Sequence, residues 1–358
     1  MKIGVVIGSA SGKGYAPEAI ISLVPSLQSY DVAVCAGPFG CDSPPSSWSR
    51  LPIEKLASAE LSASTELSRG QNASAGYLES LQNSVASLLD WGSDMLICIG
   101  GDGLGSYVLD AMISHGNKVR LLGIGAGTIN VGPIVAFGIE DIPMLDISKL
   151  SAKTIDGVEI SINGKHIAYA LNDAIIGNSF LGTLEERVVN LSTKALLDDG
   201  RKLEIEPSSD IVSRDFCIRK NGFRIENSMI KPTQIIVSPL RKREFFARAI
   251  AGVLCNASYM DGAAALGLFD TVIVRAATPL RGFENMALSE HLLFGPGDLI
   301  EIEGLTRNGD IVADGNPYLR EGTQGEVVSF KLCLDIAEVL VPRYPRDHHS
   351  EPEGVLCR

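Results

Sequence analysis

The sequence predicts an α/β amino-terminal domain, a parallel sheet with flanking helices, followed by a β-rich carboxyl-terminal domain. Within the first 150 of 358 residues, short valine- and isoleucine-rich runs alternate with helically spaced segments. That is how strands buried on both faces read when crossover helices join them. Three of these runs end in glycine clusters, at the strand ends where open α/β sheets place their ligands. From about residue 155 the texture changes to many strand-like runs separated by Gly, Asn and Asp, the pattern of a β-rich region. The expected boundaries are 1–150, 151–341 and a charged, proline-bearing tail at 342–358, expected to be mobile.

Each element follows in chain order. IGVVI (3–7) and DVAVC (31–35) read as parallel strands bracketing a helix near 17–29. GPFGCDSPPSSWS (37–49) reads as a surface loop. Leu78, Leu81, Val85, Leu88 and Leu89 fall on one face of a helix, which feeds the strand MLICI (95–99). Tyr107 to Ile113 suit another helix, and VRLLGIG (119–125) another strand. Further strands are expected at VEISI (158–162), HIAYALN (166–172), QIIVS (234–238), TVIVRA (271–276), LIEIEG (299–304), DIVADG (310–315) and EVVSFKL (326–332). Helices are expected near 182–198 and over 243–254.

Composition narrows the class. Hydrophobic residues make up 45% and charged residues 21%, values of a folded globular protein. A net charge of -12 argues against nucleic acid or anionic membranes as partners. The amino terminus lacks the apolar core of a signal peptide, and no run approaches the ~18 apolar residues of a membrane span, so a cytoplasmic protein is expected. The seven cysteines form no C-x-x-C pair, so they read as buried thiols, and no metal ligands are assigned. His115, His166 and His291 read as isolated structural histidines, and His348 and His349 fall in the tail.

Chemistry concentrates in ICIGGDGLGSYV (97–108). Gly100, Gly101 and Gly103 let backbone N–H groups approach a phosphate, and the following helix N-terminus adds its dipole. Asp102 could accept a proton from a hydroxyl or help hold Mg²⁺. The alternative is a tight strand-to-helix turn in which Asp102 caps the helix. GSASGKGYA (8–16), with Ser11 and Lys13, is a second glycine loop, although its spacing is not that of a Walker A loop. GIGAGTINVG (123–132), with Gly125, Gly127 and Thr128, is a third.

Together with LND (171–173) and ADGNPYLREGTQGEVVSF (313–330), these motifs resemble the ATP-NAD kinase family. The resemblance implies a nucleotide-binding α/β domain joined to a β-rich domain, and transfer of phosphate from ATP to the 2′-hydroxyl of the adenosine ribose of NAD with Mg²⁺. It makes Asp102 the base, sets Gly100, Gly101 and Gly103 towards phosphate, and brings Asn172 and Asp173 to the dinucleotide. It also implies a homodimer. A turn explains LND and the Asp314-Gly315 dipeptide as well.

The chain departs from the family at Leu104, where threonine is usual, and at Gly125, where asparagine is common. It departs again in IIVSPLRKREFFARA (235–249), which keeps Val237, Ser238 and Pro239 and loses the Thr/Gly/Ser cluster. Arg241, Lys242, Arg243 and Arg248 could replace lost phosphate donors, or simply start a solvated helix. The combination is most similar to the acetoin-catabolism subgroup. Two functions follow: an ATP-dependent kinase acting on NAD or a related substrate, or a non-catalytic dinucleotide sensor or accessory protein. A sugar kinase is a third reading, suggested by GTIN, but Asn130 cannot act as a base.

Overall fold

A computed structural model describes residues 1–8, 16–37, 39–40, 53–56, 73–126, 132–185, 187–225, 229–240, 260–276, 287–318 and 325–343. The amino-terminal elements are β1 (Lys2–Ile7), α1 (Ala16–Leu27), β2 (Asp31–Cys35), β3 (Ile53–Leu56), α2 (Ala73–Asp90), β4 (Met95–Gly100), α3 (Asp102–Ser114), β5 (Arg120–Gly125) and β6 (Val135–Gly138). Strands β5, β4, β1, β2 and β3 lie side by side in that order, all parallel, with β6 beside β5. Every residue of β4 is buried, because helices cover both faces. Leu23 and Leu27 of α1 pack on one face. Leu81, Val85, Leu88 and Leu89 of α2 pack on the other, beside Leu104, Val108 and Met112 of α3. Four of the five positions read in the sequence are therefore the buried face of α2, and Leu78 is half-buried.

The second half contains β7 (Ser151–Ile162), β8 (Lys165–Ala170), β9 (Ala174–Ile176), β10 (Ser179–Leu184), β11 (Arg187–Ser192), α4 (Thr193–Asp199), β12 (Val212–Lys220), β13 (Phe223–Arg224), β14 (Gln234–Pro239), β15 (Ala264–Phe269), β16 (Ser289–Phe294), β17 (Ile300–Leu305), β18 (Ile311–Ala313), β19 (Asn316–Tyr318) and β20 (Val328–Val341). Strand β20 connects the halves. It runs antiparallel to β7 and β17, and its end meets β5 in parallel at Val339 and Leu121. One 12-stranded sheet thus extends from β3 to β13, while β16-β15-β14-β9-β18-β19 form a six-stranded antiparallel sheet. A core of aliphatic side chains from both sheets, including Val158, Ile235, Leu266, Ile302 and Phe330, lies between them.

The region near 182–198 is not one helix. It folds as the β10–β11 hairpin followed by the short α4. Val188 and Val189 favour extended backbone, and Ser192 caps α4 by accepting the N–H of Ala195 at 3.1 Å. TVIVRA is not a strand either. The N–H groups of Ile273 and Val274 both donate to Gln234 Oε1 at 2.9 Å, so one side-chain oxygen replaces a ladder partner. Strand β3, with two charges in IEKL, lacks the apolar pattern that would reveal it. The helix expected over 243–254 and the tail from 344 lie outside the described residues. Among the described residues no helix is long and apolar enough to cross a membrane.

Candidate functional site

The parallel register aligns Ile7 with Ile99 and Ile99 with Ile124, so three glycine turns leave the sheet at one edge. Gly8 donates its N–H to the Ile99 carbonyl at 2.8 Å, and Ala126 donates to Gly100 at 2.9 Å. Gly100 and Gly125 are direct neighbours. Ser11, Lys13, Gly127 and Thr128, which follow β1 and β5 in the sequence, lie outside the described residues, as do Arg241, Lys242, Arg243 and Arg248.

Helix α3 starts at the turn after β4, with Gly101 as its N-cap and no side-chain cap. Asp102 does not cap the helix by itself. Its half-buried carboxylate reaches across to the third turn, where Oδ2 accepts the N–H of Gly132 at 2.7 Å. A Cβ at position 132 would sit 2.8 Å from the Asp102 carboxyl carbon, closer than real side chains approach. Glycine at 132 is therefore what allows the carboxylate to stand there. Gly132→Ala should displace Asp102 and reduce any phosphoryl transfer by about tenfold or more. An unchanged kcat in steady-state assays would separate that hydrogen bond from catalysis.

Asp314 brings the other motifs to the same helix. Its carboxylate accepts the Ser106 hydroxyl at 2.7 Å and the N–H groups of Leu171, Asn172 and Asp173 at 2.8, 2.8 and 3.2 Å. Its own N–H donates to the Asp173 carbonyl at 2.9 Å. Asp314 and Gly315 have φ of 48° and 78°, both positive as a type I′ hairpin between β18 and β19 requires. The turn reading of this dipeptide holds, and its carboxylate also ties LND to α3. Burial pushes the Asp314 carboxyl above its ordinary range, against the lowering effect of these donors.

One strand further on, Asn316 Nδ2 donates to the Gly103 carbonyl at 3.0 Å. A Cβ on Gly103 would lie 2.5 Å from Asn316 Oδ1. Asn172 and Asp173 are only 4% and 6% exposed, and the Asn172 carbonyl accepts the Ser238 hydroxyl at 2.7 Å. GGDG, LND, ADGN and the retained VSP thus meet around the first turns of α3. Sequence reading missed Ser106 and Asn316 as parts of this assembly, because their partners lie more than 200 positions away.

His166 is not isolated. Its Nε2 lies 2.8 Å from Asp110 Oδ1 of α3 and its Nδ1 lies 3.4 Å from Glu159 Oε1 of β7. His115 stands 3.2 Å from Asp90, and His291 3.1 Å from the Ser289 hydroxyl. The hydrogen bond to Asp110 raises the His166 pKa above its ordinary value, against burial. A raised histidine pKa means that the charged form favours folding. This contribution is complete below about pH 6.5 and is lost as pH rises through the higher folded value. Wild type should therefore lose stability relative to His166→Gln between a pH below about 6.5 and a pH above the raised folded value. Parallel melting curves at the two pH values would contradict this. Cys98, by contrast, is an inert thiol pushed by burial up to about 12.

Among the described residues no three His, Cys, Asp or Glu side chains converge as a metal site. In the described parts of the three turns Asp102 alone carries a carboxylate. That donor set suits Mg²⁺ arriving on nucleotide phosphates, since Mg²⁺ commonly takes one or two carboxylates and fills its shell with phosphate and water.

Solved structures share the architecture. The chain aligns with a yeast NADH kinase solved with NADH at 12% identity, covering 100% of this chain and 90% of that one, with a TM-score of 0.53. It aligns with a provisionally assigned diacylglycerol kinase from Bacillus anthracis str. Sterne at 16% identity, covering 94% and 96%, with a TM-score of 0.51. At these identities the likeness shows the fold, which is NAD kinase-like, with a mixed sheet and a β-rich carboxyl-terminal part. No family model and no curated protein matches the chain.

Proposed function

We propose that the chain is a kinase-like enzyme that transfers a phosphoryl group from ATP to a hydroxyl of NAD or a related substrate. The observation that carries this reading is the position of Asp102, at the N-terminus of α3 on the glycine edge, with its carboxylate fixed by Gly132. Gly100, Gly101 and Gly103 form the turn that would lie against phosphate, where backbone N–H groups and the α3 dipole favour negative charge. Asp102 accepts the proton of the attacking hydroxyl. Asn172 and Asp173, held by Asp314, border the site and position the dinucleotide. Mg²⁺, held by the ATP phosphates with Asp102 as the nearby carboxylate, would neutralise charge on the transferring group. Placing the reactants and stabilising charge would supply most of the rate.

A second reading rests on Leu104. In the first turn of α3 this side chain is buried against the core, so it offers phosphate no hydroxyl. Together with the altered 240–248 segment, this favours a sensor that binds a dinucleotide without turning it over. Purified protein incubated with ATP, Mg²⁺ and NAD or NADH distinguishes the two. ATP-dependent appearance of the 2′-phosphorylated dinucleotide supports the kinase. Saturable NAD binding in calorimetry without product supports the sensor.

A link to acetoin catabolism and a cytoplasmic location belong to the same proposal and rest on sequence features. The homodimer rests on family resemblance, and a monomer mass in light scattering would contradict it.

A further inference from the structure

On the far side of the β-rich half from α3, between the outer strands of the two sheets, lies an opening of about 580 Å³. Its volume falls within the range of small-molecule sites. Ile218 of β12 and Leu266 and Leu268 of β15 form a buried apolar wall, and Leu292 of β16 closes one side. At the lip, Ile225 is 39% exposed. Phe223 and Met229, nearby in the sequence, are 78% and 93% exposed.

The charges at this lip are unequal in their commitments. The Glu290 carboxylate accepts the N–H of Met229 at 2.7 Å. Arg219, directly across the β12–β13 ladder from Arg224, is paired with Glu303 at 3.0 Å. Arg224 lines the opening, and among the described residues no carboxylate pairs with it. An opening walled by Ile218, Leu266, Leu268 and Leu292, with the Arg224 guanidinium among its lining residues, suits a molecule with an alkyl chain and an acidic head, since arginine pairs well with carboxylate and phosphate.

We propose that this opening is a second ligand site, separate from the glycine edge, for an amphipathic anion with a single alkyl chain. The chain lies along Ile218, Leu266 and Leu268, and the head meets Arg224. The head chemistry is shared by fatty acids and alkyl phosphates.

The test is calorimetry on the full chain with decanoate, decyl phosphate and decanol. One saturable site is expected for at least one anion, with decanol about tenfold weaker or worse. The tighter anion identifies the source. Arg224→Glu should weaken anion binding by about tenfold, and Arg224→Lys should retain part of it. Ile225→Glu, a second exposed substitution, should also weaken binding by placing a charge at the lip. Melting temperatures of all three variants should match wild type. Absence of saturable binding by either anion overturns the proposal, as does equal affinity for decanol or indifference to Arg224→Glu. A loss of dimers in Ile225→Glu with no anion binding by wild type would instead make this face a contact between copies of the chain.

Discussion

Asp314→Ala is expected to cost about 3 kcal/mol or more of folding stability. The substitution leaves three backbone N–H groups and the Ser106 hydroxyl without the acceptor that now gathers them. Each buried donor left unpaired costs roughly 1–3 kcal/mol, less where water can enter. Asp314→Asn keeps one acceptor oxygen but turns an NH₂ group towards donors, so it should fall between Ala and wild type. Denaturant midpoints at neutral pH report the order directly. A functional loss should accompany it, because the same carboxylate fixes LND against α3, and nucleotide affinity should fall even where the variant is folded. Stability of the alanine variant within about 1 kcal/mol of wild type would mean that water replaces the carboxylate at little cost.

The sequence carried the local part of this architecture well. The strand runs at 3–7, 31–35 and 95–99, and four of the five aliphatic positions of α2, are patterns of one element against one core, and local pattern alone reveals them. The glycine turns were legible for a similar reason, since each follows a buried run. What failed was decided elsewhere in the chain. TVIVRA has every strand propensity, yet Gln234, about 40 positions away, takes the N–H groups of Ile273 and Val274. The stretch 182–198 has helix-compatible residues, but pairing between β10 and β11 overrides them. Asp314 read as half of a turn because a dipeptide shows its backbone preference and not its distant partners. His166 read as isolated because Asp110 and Glu159 approach it from two other elements.

Asp102→Asn should lower kcat by about 10² to 10⁴-fold if the chain is the proposed kinase. Asparagine has nearly the same shape, and its carbonyl oxygen can still accept the Gly132 N–H, so the turn should keep its form and nucleotide dissociation constants should change little. A loss confined to kcat assigns the carboxylate to the chemical step. A loss confined to binding makes it a positioning residue at the phosphates. Turnover equal to wild type removes Asp102 from the mechanism, and with it the main support for phosphoryl transfer at this edge.

The most direct test of the central claim is a crystal structure with NAD and a non-hydrolysable ATP analogue. The account predicts phosphate oxygens within hydrogen-bonding distance of the Gly101–Gly103 backbone, and a substrate hydroxyl beside the Asp102 carboxylate. Nucleotide bound away from the ends of β1, β4 and β5, with that edge empty, would contradict it.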